Sequence, residues 1–192
     1  MNEALDAIMP LLRGERVSMK TDWFELREAQ LQLPSYQSPH LEVAVACSRS
    51  PAGALAAGKY GLGMLSIGGT SDDALKAHAK NWQLAEDTAA EHGQTVDRNN
   101  WRMVMLAHIA DTREEAKRNV QYGIDDFARY FREIATFPIV PPEIDDPYTY
   151  LTESKMAVIG TPDDAIAHIE ALLEGSGGFG GALELAHNWA NF

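Results

Sequence analysis

Leu41-Glu42-Val43-Ala44-Val45-Ala46-Cys47, followed by Ser48-Arg49-Ser50-Pro51, is a short apolar run closed by a capping serine and a proline. It reads as a strand, a loop and the start of a helix. That helix carries Leu55 and Ala56, ends near Gly61, and leads to a second apolar run, Met64-Leu65-Ser66-Ile67. Gly68-Gly69-Thr70-Ser71 then opens a further helix whose first turn holds Asp72 and Asp73, where acids complement the helix dipole. The unit has repeated itself, and strand–helix–strand repeats specify parallel connections.

Downstream, Leu75, Ala79, Trp82, Ala85 and Ala89 form one stripe of that helix, which His92-Gly93 ends. A third run, Met103 to Ile109, is apolar at both parities, as in a strand buried on both faces. Asp111-Thr112 caps a long helix with Ala116, Val120, Ile124, Phe127 and Phe131 inward. A proline-rich loop, Phe137 to Pro147, leads to Ile159-Gly160-Thr161-Pro162, which starts a helix with Ile166, Ile169, Leu172 and Leu173 inward. The glycine-rich run Gly175–Gly181 feeds a last strand, residues 182–187.

Upstream, Ala4, Leu5, Ile8 and Leu12 lie at helical spacing, and Gly14 stops the run. Residues 15–40 are a connecting excursion of short extended pieces closed by Pro34 and Pro39. The reading is a single domain over 1–192 with four β/α units over 41–187. Both an open doubly wound sheet and a closed barrel fit this order. A complete (β/α)8 barrel takes about 250 residues, so a barrel reading makes this chain about half of one, unfinished at both ends.

Composition narrows the function classes. Of 192 residues, 28 are acidic and 16 basic, a net charge of −12 with no basic stripe, which disfavours nucleic acid as a partner. No stretch approaches the apolar length of a membrane span, and the first residues lack a basic leader, so a cytoplasmic protein is expected. The single cysteine, Cys47, excludes an intrachain disulfide and a Cys-based metal site, and no metal is expected. The acid-rich Pro142–Pro147 segment lacks histidines and reads as a solvated loop.

Ligands of parallel α/β folds bind at the carboxyl ends of the strands, so the turns there are the candidate sites. Ser48, Arg49 and Ser50 combine two hydroxyls and a guanidinium at a helix start, each able to bind a phosphate oxygen. Gly68, Gly69 and Thr70 offer a second cup, where absent Cβ atoms let an anion approach the backbone. The same residue types serve equally as caps and turns with no ligand. His108 and His187 each end a strand in a Leu-Ala-His string. They are candidates for hydrogen bonding to a cofactor or for proton transfer, against the alternative of buried, satisfied imidazoles. Cys47 reads as a small buried residue rather than a nucleophile.

The string Val43–Pro51, followed by Ala57–Gly68, resembles the luciferase-like flavin-dependent monooxygenase family, in its limonene-monooxygenase-like branch. The similarity continues through Asp111–Ala116, Val158–Ala165 and Gly177–Gly180. The resemblance implies a TIM-type barrel of which this chain is a half-barrel, strands five to eight, binding FMN or alternatively the deazaflavin F420. It also implies that Ser48–Ser50 and Gly68–Thr70 are the cofactor-phosphate contacts. Such an oxygenase acts on a small-molecule substrate with O₂, can draw reduced flavin from a reductase, and keeps its site dry. Catalytic residues brought by the first four strands have no counterpart here. A non-catalytic half-barrel acting as an interaction module is the alternative, and an isomerase or aldolase fragment a third. Because half a barrel exposes the inner face of its sheet, a homo-oligomer is expected, most simply a two-fold dimer.

Overall fold

The structure, a computed structural model, describes residues 2–38, 40–47, 50–135 and 139–190. Helix α1 (Asn2–Leu12) precedes an antiparallel hairpin, β1 (Val17–Lys20) and β2 (Glu25–Ala29). Next come β3 (Ala44–Ala46), α2 (Ala52–Tyr60), β4 (Gly63–Ile67), α3 (Asp72–Glu91) and β5 (Trp101–Ile109). Then follow α4 (Arg113–Val120), α5 (Ile124–Arg129), α6 (Pro147–Glu153), β6 (Ala157–Gly160), α7 (Pro162–Ser176) and β7 (Gly181–Glu184).

Strands β3 to β7 form one parallel sheet in which β3 pairs β4, β4 pairs β5, and β5 pairs both β6 and β7. The N–H of Gly68 donates to Val104 O and that of Ala110 to Gly160 O, whereas Gly180 and Leu185 donate to Trp101 O and Met105 O. Backbone groups of alternate residues point to opposite edges of a strand. Strands β4 and β6 therefore lie end to end along one edge of β5, with β7 along the other.

The register sets Leu65 beside Arg102, and Ile67 beside Val104 and Leu183, on one face. That face is open: Leu183 is 42% exposed, and Leu65, Ile67 and Val104 are half-buried. The opposite face carries Met64, Ser66, Trp101 and Met103, all buried in a core completed by Trp82 of α3 and Leu172 of α7. Trp101 stacks on Trp82 at 5.0 Å and donates its indole N–H to Ser66 Oγ at 3.0 Å. Arg98 lies over the Trp82 ring and donates to Ser176 O and Gly178 O, closing the carboxyl end of α7. A second cluster packs Phe127, Leu106, Val120, Val140, Leu151 and Trp189.

The structure departs from the sequence reading at several points, first in that β3 covers only Ala44–Ala46 of the run Leu41–Cys47. A fifth strand, β6, is present where the sequence was read as a loop running into a helix; its four residues are all buried. The long helix after β5 is broken at Gln121-Tyr122-Gly123. A Cβ at Gly123 would collide with Asn188 and Trp189, whose carbonyl accepts the Gly123 N–H, so the chain turns there to admit the C-terminal segment. The last strand ends at Glu184 rather than 187. Finally, the buried stripes of α3 and α7 are shifted. Ala79 is exposed and His78 buried, while Ile166 and Leu173 are 54% and 41% exposed and His168 is buried beside Leu172. In each helix a hydrogen-bonded histidine occupies an inward position that apolar periodicity assigns to a neighbour.

Helix α7 begins with a capping box. Thr161 Oγ1 accepts from the Asp164 N–H, and the Asp164 carboxylate accepts from the Thr161 N–H. Arg113 adds two hydrogen bonds to the same carboxylate, at 2.9 and 2.6 Å. The Arg113 guanidinium foremost, then the Thr161 N–H, hold the Asp164 carboxyl far below the usual carboxylate range. A depressed folded-state pKa adds stability above the unfolded value, about 3.9, and loses it as pH falls through the folded one. Asp164→Asn is expected to cost about 1 kcal/mol at neutral pH, a typical cap loss. The gap in urea midpoint between variant and wild type should shrink below about pH 4.

Candidate functional site

The turns that leave β3 and β4 start from the same end of the sheet, because the two strands are parallel and register Ala46 with Leu65. Cys47 continues the pairing by donating its N–H to Leu65 O at 2.7 Å. Its thiol is buried, which pushes its pKa up, opposed by the Ala54 N–H donated to it. This is a packed thiol and not an activated one. A Cβ on Gly53 would meet Ala46 O and Cys47 Cα, so glycine lets the first turn of α2 lie directly on the end of β3. Ser48 and Arg49 lie outside the described residues. Ser50 is exposed at this edge, its Oγ accepting the Ala52 N–H at 3.2 Å.

Gly68, Gly69 and Thr70 are all buried. Their three N–H groups donate to Val104 O, Ile67 O and Lys155 O respectively. The vacant Cβ direction of Gly68 points at Leu172 and Met103, and that of Gly69 at Ala74, Met156 and Lys155 O. Gly68 makes room for Leu172 of α7, which a Cβ would crowd, whereas a Cβ at Gly69 would meet only ordinary contacts with Ala74, Met156 and Lys155. Ser71 caps α3 by accepting from Ala74 N–H at 3.3 Å.

Two buried histidines, which the sequence reading passed over, hold the carbonyls of this turn. His168 Nε2 donates to Gly68 O at 2.8 Å, and its Nδ1 lies 3.4 Å from Thr70 Oγ1. His78 Nε2 donates to Gly69 O at 3.3 Å. Burial lowers the pKa of both imidazoles, against the raising effect of the carbonyls they bond.

His108 sits near the carboxyl end of β5, in register with Ile159. Among the described residues, its Nε2 is buried with no hydrogen-bond partner. A buried polar atom without a partner is costly, and the indole Nε1 of Trp82 shares that condition among the described residues. His187 lies beyond the end of β7, its ring edge-on to Phe127 at 5.0 Å. It is thus packed against the second aromatic cluster, and pairing with β5 has stopped at Leu185. Asp146, in the acid-rich segment, caps α6 by accepting from Thr149 N–H. Among the described residues no three His, Cys, Asp or Glu side chains converge as metal ligands, and no helix is long and apolar enough to cross a membrane.

Residues 1–178 match the model of the luciferase-like monooxygenase family. The chain is 41% identical over 191 residues to limonene 1,2-monooxygenase of Rhodococcus erythropolis, covering 100% of this chain and 49% of that one. Among solved structures it superposes on a monooxygenase of Streptomyces bottropensis with TM-score 0.73 at 22% identity, over 96% of this chain and 53% of that one. It also superposes on the oxygenating constituent of 3,6-diketocamphane monooxygenase from Pseudomonas putida, solved with FMN, with TM-score 0.70 at 22% identity, over 98% and 56%. The chain thus spans about half the length of the relatives it matches, and its parallel sheet corresponds to about half of their fold. By the family match over residues 1–178 and by 41% identity to a relative along its whole length, this chain belongs to the luciferase-like monooxygenase family.

Proposed function

We propose that this chain is the cofactor-phosphate side of a flavin-dependent monooxygenase, with FMN as the cofactor and F420 as the alternative. The observation that carries the reading is the junction of β3 and β4, whose two turns leave one end of the sheet from paired strands. In a parallel α/β sheet that end is where ligands bind. Donor chemistry at the edge fits a phosphate: Ser50 is exposed there, and Ser48 and Arg49 precede it in sequence. Arg49 supplies the charge, and the hydroxyls of Ser48 and Ser50 supply neutral donors. Gly68, Gly69 and Thr70, whose N–H groups are engaged within the protein, form the wall behind the phosphate rather than a second set of donors.

When bound, reduced flavin supplies the electrons that activate O₂ for reaction with a small-molecule substrate. The chain's own residues orient and desolvate. His108, whose buried Nε2 has no partner among the described residues, donates or accepts one hydrogen bond at the carboxyl edge of β5. A flavin reductase is the natural supplier of the reduced cofactor. Calorimetric titration with FMN, repeated on Arg49→Ala, tests the phosphate assignment. A weakening on the order of tenfold or more is expected for loss of a charge-assisted contact. Equal affinities would remove Arg49 from the site.

The open sheet face around Leu65, Ile67, Val104 and Leu183 supports an assembled form, here a homodimer that covers it. Sedimentation equilibrium should give twice the chain mass at micromolar concentration. A folded monomer over a wide concentration range would contradict this.

A further inference from the structure

The turn after β4 is held by more hydrogen bonds than a connecting turn requires. All three N–H groups of Gly68, Gly69 and Thr70 are engaged, and the carbonyls of Gly68 and Gly69 each accept from a buried imidazole. The two imidazoles come from different helices, His78 from α3 and His168 from α7, at 7% and 9% exposure. Each position costs hydration of a polar ring, and a leucine would fill it without that cost. Packing alone therefore does not account for histidine there.

A carbonyl accepts only from a protonated nitrogen, so Nε2 carries the hydrogen on both rings. Neutral His168 then has an Nδ1 lone pair directed at Thr70 Oγ1, 3.4 Å away, and Thr70 is the donor in that contact. Its hydroxyl hydrogen is turned inward, so Thr70 offers no donor at the edge and acts there only as wall.

We propose that His168 and His78 are positioning residues for the cofactor edge. They clamp the Gly68–Thr70 turn through its carbonyls, and His168 also sets the direction of the Thr70 hydroxyl. The inference rests on the reading of this edge as the flavin-phosphate side, since the clamped turn is the wall of that site. The wall is thereby held by His78, nine residues after Gly69, and by His168, 100 residues after Gly68.

The test has one arm that needs no ligand. Long-range 15N NMR of the full chain should show the Nε2–H tautomer for His78 and His168, and amide hydrogen exchange at Gly68–Thr70 should be slow. His168→Leu fills the space without a donor, whereas His168→Gln restores an N–H close to the position of Nε2. Exchange at these amides should accelerate on the order of tenfold or more in the leucine variant, the effect of leaving one buried carbonyl unpaired, and return toward wild type in the glutamine variant. FMN affinity should follow the same order. An Nδ1–H tautomer at both rings, or a leucine variant with wild-type exchange, would overturn the clamp. If the variants fail to fold, the tautomers of the wild-type chain still decide it. Wild-type protein that shows the clamp but binds no FMN would refute the flavin reading and leave the clamp standing.

Discussion

Trp101→Ala is expected to remove about 3–5 kcal/mol of stability, the range for deleting a large aromatic from a packed core. Trp101 is fully buried, stacks on Trp82, and lies beside Met64 and Met103 on the helix-covered face of the sheet. Its loss also strips Ser66 Oγ of its indole donor. Trp82 in turn supports the Arg98 guanidinium that closes α7, so the cavity sits where sheet, α3 and the end of α7 meet. Urea unfolding followed by circular dichroism checks the size of the effect. Trp101→Phe, which keeps most of the packing and drops the hydrogen bond, should lose distinctly less. A loss under about 1.5 kcal/mol for Trp101→Ala, the range of conservative swaps, would contradict the packing described.

Phe127→Ala is expected to cost a similar amount, about 3–5 kcal/mol, in the second cluster. Phe127 is fully buried, stacks on Trp189 at 5.1 Å and touches Phe131 and His187. Because these partners hold the segment after β7 against α5, the substitution should also loosen that segment. Near-ultraviolet circular dichroism should lose part of the aromatic signal, and proteolysis should trim the chain after Glu184. A C-terminal segment as protected as in the wild type would count against its anchoring by Phe127.

The order of strands β3, β4, β5 and β7 was legible in the sequence because each is an apolar run bounded by glycine, proline or a capping hydroxyl. Asp111-Thr112 was legible as a cap, and Thr161-Pro162 as a helix start, for the same local reason. Strand β6 was not legible. Ala157-Val158-Ile159 is too short a run to show a period, and the strong Thr161-Pro162 helix start drew it into the approach to α7. Its absence from the reading also left the surroundings of Gly68 and Gly69 out of view. A sequence shows that a glycine lacks a Cβ but not what lies in that direction, and here it is Leu172, Met156 and Lys155. His78 and His168 were passed over because apolar periodicity ranks a histidine as outward. Their inward orientation depends on the carbonyls of Gly68 and Gly69, which are remote in sequence from His168. His108, whose Nε2 has no partner among the described residues, is by contrast a residue that its place at a strand end had already singled out.

Phosphate recognition at this edge is decided by comparing FMN with riboflavin on the unmodified chain. The two ligands share the ring and ribityl chain and differ only in the phosphate. If the carboxyl edge of β3 and β4 is a phosphate site, calorimetry should show FMN binding at least about tenfold more tightly, with inorganic phosphate competing and the difference narrowing as salt rises. Equal binding of FMN and riboflavin, or no binding of either, would contradict it.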